Sequence, residues 1–570
     1  MTRSRDAEIA RRNRQELITA KLSRRDLIKL GLLTSSGLLV AKRGLSARAA
    51  RADGGTRSPP TTPFVVPLSI PPIAQAVSSL TPAPQAAPNT AAGEARQATH
   101  QRWDEFLPRE FYEIHEREAP HSFHPELPVN TIWGYNGIFP GPTYQGRYGQ
   151  PVLVRMHNDL PADHVGFGIP QTSTHLHNGH TPSESDGFPA DFFDSGLFYD
   201  QHYPNVCAGF DAFPPAGDAR ETMNTLWYHD HRFDFTAQNV YKGLAGFYLL
   251  FDERDSGDEN DPNPLAFRLP SGEFDVPLLF ADKVFDADGQ VFFDFFNLDG
   301  ILGDKFMVNG KIQPFFKVAR RKYRFRLLNS GPSRFYEFFL SNGQPFVQIS
   351  NDGNLLPQPL PRTSFRLGVA ERVDVIIDFT NLHIGDRIFL ENRLEQTTGR
   401  GPTGKILPQS SATQLLRFDV DRDPPESDRS RIPARLRELP PIDMREVVAT
   451  RTWRFERKNG AWAINGKFFN VNEVRATPRK GTAEVWVLQN NSGDWQHPIH
   501  IHFEEFRILS RNGVSPPPDE VARKDVVRLQ GNEEIRLFMR FRDFHGRYPM
   551  HCHNVVHEDH AMMLRWDIVP

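Results

Sequence analysis

The sequence predicts an all-β chain built from three sandwich domains, on three observations. With 47 Pro and 41 Gly among 570 residues, the chain is punctuated into short segments, as strands separated by many turns require. The segments themselves are rich in β-branched and aromatic residues, as in PVLVRMHN (151–158), KYRFRLLN (322–329), RVDVIIDF (372–379) and AEVWVLQN (483–490), and no long helical period competes with them. Finally, an Asn-Gly turn recurs at Asn136-Gly137, Asn309-Gly310 and Asn465-Gly466, spaced by 173 and 156 residues, each followed by a strand ending in Asn158, Asn329 or Asn490. A shared turn and a shared sequel at that period read as three related β-sandwiches.

Taken in order, residues 1–50 carry 12 Lys/Arg against 4 Asp/Glu. Arg24 and Arg25 precede an apolar run of about 14 residues and an Ala47-Arg48-Ala49 site, the plan of a signal peptide too short to span a bilayer. Paired arginines before Leu27, Ile28 and Lys29 resemble a twin-arginine export signal, so an exported, periplasmic or extracellular protein without a membrane span is expected. Residues 51–99, rich in Pro, Ala, Thr and Ser, read as a linker that need not pack, with 61–73 extended along the body. The three sandwiches are expected at 100–255, 256–430 and 431–570, divided by the acidic, Pro-containing stretches DERDSGDENDPNP and DVDRDPPESDRSRIP. Beyond residue 50 the net charge is −11, which argues against nucleic acid as a partner.

The 21 histidines concentrate in STHLHNGH (173–180), WYHDHR (227–232), HPIHIH (497–502) and HCHNVVH (551–557). On a strand, residues i and i+2 share a face, so each H-x-H pair presents two imidazoles together, a donor type suited to Zn, Cu, Fe or Ni. The pairs His175/His177 and His229/His231 start 54 residues apart, and His500/His502 and His551/His553 start 51 apart, while the middle segment holds only His383. Two equivalent domains packed face to face would pool eight imidazoles, enough for about three metal ions with open positions. In His551-Cys552-His553 the thiol points away from its flanking rings. Cys552 could therefore bind a separate ion behind the strand, with His497, His557 and Met562 at hand; Cys, two His and a weak axial Met make a blue-copper electron-transfer site. With Cys552 a ligand, Cys207 has no partner and no disulfide is expected.

These four clusters resemble those of the multicopper oxidases, a family of three Greek-key cupredoxin domains, over about residues 100–570. The surroundings THLHNGHTPSESDGFP and HCHNVVHEDHAMM are most similar to the spore-coat laccase and bilirubin oxidase branch. The resemblance implies four copper ions. His497, Cys552 and His557, with Met562 axial, would hold a type 1 copper, and His175 and His500 a type 2 copper. His177, His229, His231, His502, His551 and His553 would hold a type 3 pair. It also implies proton delivery by Asp186 and Glu558, electron entry at a solvent-exposed edge of His557, and O2 and a small reducing substrate as partners of a monomer. A phenol- or dye-oxidising laccase is the expected activity. The alternatives are a metal-ion oxidase (Mn, Fe or Cu) on the same scaffold, a non-enzymatic cupredoxin copper-binding protein, and a copper nitrite reductase. The non-enzymatic relatives lose ligands, whereas all twelve are present here.

Overall fold

The computed structural model describes residues 58–295 and 297–570; the expected export signal lies outside them. Three sandwiches follow one another, and each keeps the same frame. In the first, strand Glu110–His121 runs parallel to Val152–Asn158; in the second, Asp275–Phe285 runs parallel to Lys322–Asn329; in the third, Val447–Lys458 runs parallel to Thr482–Asn490. Each sandwich encloses its own apolar core, and a further apolar cluster joins the first to the second.

The repeated asparagines account for the repeated frame. Asn136, Asn309 and Asn465 all take the left-handed conformation, with φ of 55°, 48° and 49°, which asparagine tolerates better than other non-glycine residues. The Oδ1 of each accepts the backbone N–H of a neighbouring strand, from His115 at 2.9 Å, Leu279 at 2.7 Å and Arg454 at 2.7 Å. At the strand ends, Asn158, Asn329 and Asn490 accept the N–H two residues on, from Leu160, Gly331 and Ser492.

The stretch 61–73 runs along the body, and the part beyond it, read as a linker that need not pack, packs as well. Between residues 58 and 99, Phe64 and Leu68 donate to Gln313 and Phe315 of the middle sandwich, and Ala74, Val77 and Ala95 to Thr143, Phe111 and Phe198 of the first. Leu68 joins the middle core and Ala74 and Ala95 the first. Pro and Ala are no obstacle here, because the segment adds to strand edges through scattered bonds rather than a continuous ladder.

Candidate metal centre

The first and third sandwiches each bring two histidine-bearing strands side by side. Thr174–His177 pairs antiparallel with Thr225–Asp230, setting His175 opposite His229. His497–Ile501 pairs antiparallel with Gly546–Cys552, setting His500 opposite His551 and Ile499 opposite Cys552. The second histidine of each pair lies at or just beyond its strand end. All eight rings are buried and meet across the boundary between the two sandwiches.

Three donor sets result. The Nε2 atoms of His231, His502 and His551 form a near-equilateral triangle with sides of 3.1, 3.2 and 3.2 Å. A point central to them lies about 1.8 Å from each, just inside a metal–imidazole bond length. His500 and His175 face each other with their Nε2 atoms 3.4 Å apart. His177, His229 and His553 form the third group, with ring centroids 5.2 to 5.7 Å apart, and both ring nitrogens of His177 and His553 and the Nε2 of His229 have no hydrogen-bond partner.

The opposite ring nitrogens fix the tautomers. His502 Nδ1 lies 2.8 Å from Asp186 Oδ2. His231 and His551 Nδ1 lie 3.2 and 3.0 Å from the two oxygens of Glu558, in contacts bent away from the hydrogen-bond line. His175 and His500 Nδ1 donate to the carbonyls of Asp186 and Asp525. Oxygen acceptors at Nδ1 put the proton there and leave the Nε2 lone pairs aimed at one another, an arrangement that a cation satisfies and hydrogen bonding alone does not. For six of the rings burial favours the neutral form: His229 is pushed down to about 3, and His175, His177, His500, His502 and His553 well below the usual histidine range.

A fourth set stands behind the Gly546–Cys552 strand. Cys552 Sγ is 3.5 Å from His497 Nδ1 and 3.6 Å from His557 Nδ1, and the two nitrogens are 3.1 Å apart. His497 Nε2 donates to Ser492 Oγ at 2.8 Å and His557 Nε2 to the Asp299 carbonyl at 3.0 Å, so both Nδ1 lone pairs face the sulfur. Burial pushes the Cys552 thiol well up; only a cation beside it would favour the thiolate. Met562 is buried in the same core as Cys552, and its carbonyl accepts from the Cys552 N–H at 3.0 Å.

His557 and Glu558 are neighbours in a short helix, Val555–Asp559, capped by the Asn554 side chain. Successive helical residues point about 100° apart, which sends His557 to Cys552 and Glu558 to His231 and His551. For Glu558, burial favours the neutral acid, but His551 and His231 outweigh it and hold the carboxyl well below its ordinary range. Asp186 is driven the other way, by burial and then by Asp191.

Contrary to the exposed ring edge expected from sequence, His557 is fully buried. The Asp299 backbone and the Trp462 ring, whose centroid is 4.0 Å from that of His557, cover it. Sequence reasoning also missed Asp525, which accepts a bidentate pair from buried Arg372 at 2.8 and 3.0 Å and sits 3.0 Å from His177 Nε2. No motif marks Asp525, because its partners come from all three sandwiches. Cys207 and Cys552 are both buried free thiols.

Comparison with known proteins agrees with this chemistry. Residues 441–570 match the family model described as multicopper oxidase. The chain is 33% identical over 515 residues to a laccase of Bacillus subtilis (strain 168), covering 80% of this chain and 94% of that protein. It is 33% identical over 520 residues to a bilirubin oxidase of Albifimbria verrucaria, covering 89% and 81%. Among solved structures, a laccase from Pediococcus acidilactici Pa5930 shares the fold with a TM-score of 0.71 at 23% identity, covering 91% of this chain and 97% of that one. Donor sets of neutral imidazoles and one thiol fit copper, the metal this relationship implies, and the chain belongs to the multicopper oxidase family of oxidoreductases.

Proposed function

We propose that this protein is a laccase-like oxidase that removes single electrons from phenolic or aromatic reductants and uses four of them, with four protons, to reduce O2 to two waters. The observation that carries this reading is the one strand that serves both kinds of site. Cys552 faces His497 and His557, while His551 and His553 on either side of it face the imidazole cluster. In this reading His497, Cys552, His557 and Met562 hold one copper and His175 and His500 another. His177, His229 and His553, and His231, His502 and His551, hold the remaining two. Copper there supplies one-electron storage and a place for O2 to bind.

The chain's own groups supply the rest. Cys552 is bonded through its backbone to both flanking histidines, giving a short covalent path between the two regions. Asp186 keeps a proton beside His502, and Glu558 bridges His231 and His551; together they can deliver the protons that water formation consumes. All four sets come from a single chain, so a monomer suffices. The surface above His557 supports organic reductants over metal ions. The Asp299 carboxylate lies 3.3 Å from Arg457 and 3.6 Å from Arg400, and Asp494 lies 3.2 Å from Arg400. These carboxylates are occupied by arginines rather than open to a cation. The same arginines lie over Trp495 at 4.2 and 5.0 Å, an aromatic face with its charges already paired, suited to phenolic donors. We further propose export by the twin-arginine signal in residues 1–50.

Oxygen uptake tests the reading, on protein of measured copper content, against phenols, Mn(II), Fe(II) and Cu(I). Turnover on phenols with one O2 consumed per four donor electrons and no peroxide released is expected. Turnover on metal ions alone would favour the metal-oxidase alternative, and none on any donor would remove the enzymatic reading.

A further inference from the structure

Away from the buried centre, the first sandwich carries a second group of metal-type donors. Strand Glu110–His121 alternates, with Tyr112, Ile114 and Glu116 buried and Glu113 and His115 turned outward, part-exposed. Its parallel neighbour Val152–Asn158 places His157 in register with His115, and residues paired across a sheet point to the same face. The two imidazoles stack with centroids 4.6 Å apart and planes 8° from parallel. A carboxylate stands at each: Glu113 Oε1 is 3.0 Å from His157 Nε2, and Asp159 Oδ2 is 2.6 Å from His115 Nδ1. One donor atom each from Glu113, His115 and His157 lies within 4.8 Å of the others.

We propose that Glu113, His115 and His157, with Asp159 beside them, bind a divalent transition-metal ion of the zinc or copper kind at the surface, separately from the buried centre. Two imidazoles and a carboxylate are the donor mixture that Zn(II) and Cu(II) favour, whereas Mg(II) and Ca(II) prefer oxygen alone. Closing the donors onto one ion needs only rotamer adjustment, because all four side chains are part-exposed at 23–47%. Stacking itself supports the assignment. Two protonated rings at this distance repel, and burial followed by His115 lowers the affinity of His157 for a proton, which favours the neutral, ligating form. The inward neighbour Glu116 faces the other way, accepting from Thr174 Oγ1 at 2.7 Å, so the outward donors stand on the face of this strand turned away from the interior. A part-exposed site of this kind should exchange its ion freely, unlike the buried sets.

The test is zinc titration of the copper-loaded, full-length protein, followed by calorimetry and by elemental analysis. One exchangeable zinc per chain beyond the copper content is expected, removable by a mild chelator without loss of the blue absorbance. His115→Ala with His157→Ala should abolish that binding, and Glu113→Gln should weaken it at least about tenfold, the smallest loss seen when even a group supporting a ligand is removed. His157→Asn, close in size to the native side chain, serves as a second variant should the double one fold poorly. Its blue absorbance reports the intact fold, and it too must lose affinity. Absence of exchangeable zinc in the native protein, or equal binding by native and His157→Asn proteins, would overturn the proposal.

Discussion

The middle sandwich and its two neighbours share a frame but not a chemistry. All three turn at an Asn-Gly pair and align their strands alike, yet only the outer two pair histidines on adjacent strands. On the corresponding antiparallel pair of the middle sandwich, Tyr336–Leu340 beside Arg387–Asn392, aromatic and aliphatic residues such as Tyr336, Phe338 and Leu390 stand in place of histidines. The repeat therefore specifies a scaffold; three of the four donor sets belong to the boundary between its first and last copies, and the thiol set lies within the last. The middle copy contributes from the side: Arg372 fixes Asp525 beside His177, and the Asp299 carbonyl orients His557.

The largest effect that sharpens this contrast comes from the thiol, which has no counterpart in the other sandwiches. Cys552→Ser should abolish the intense blue absorbance and the oxidase activity while lowering copper content by one ion; retained blue colour would falsify the assignment. Next comes the prop supplied by the middle sandwich. Arg372→Met leaves the buried Asp525 carboxylate unpaired and should cost about 3–5 kcal/mol, read as a lowered denaturation midpoint with reduced copper content. Unchanged copper loading would show that the middle sandwich does not shape the centre.

A smaller effect concerns the ties between the outer sandwiches. Burial raises the Glu221 carboxyl, but Arg542 and Arg523 outweigh it and hold it at about 2, at distances of 2.8 and 3.0 Å. Its folded value lies below its ordinary value of 4.5, so its stabilisation is present above that pH and is lost as pH falls from there towards 2. Glu221→Gln should flatten the acid side of a melting-temperature profile; an unaltered slope would place the acid sensitivity elsewhere. The smallest effects compare the three turns directly. Asn309 is fully buried and Asn136 and Asn465 only partly, and Asn309 also donates to the Pro277 and Ser69 carbonyls. Asn309→Ala should cost about 2 kcal/mol and the other two about 1 kcal/mol each, measured by denaturant unfolding. Equal costs would mean that the turns are held by conformation alone.

Much of the architecture was legible because it is written locally. The strand-like run 322–329 is the strand Lys322–Asn329, and 483–490 falls within Thr482–Asn490. Histidines two apart announce a shared face, and HCH announces two faces, since side-chain alternation is a local property of strands. What the sequence hid is non-local. Asp525 looks like any surface aspartate until Arg372 and His177 arrive from other sandwiches. The covering of His557 depends on a loop some 260 residues upstream, as the separation of its Asp299 partner shows. Composition misread residues 74–99 for a related reason: a Pro/Ala-rich stretch has no periodic signal, yet Ala74 and Ala95 find hydrophobic seats that only the assembled first sandwich provides.

That strap has a consequence for biosynthesis. It leaves the ribosome before either body it binds, and domains generally fold as they emerge. Its seats along Thr143 become available early, but those at Gln313 and Phe315 exist only after the second body is made. The strap must therefore wait part-docked during translation, and its final closure marks the moment at which two independently nucleated bodies become a single cooperative unit.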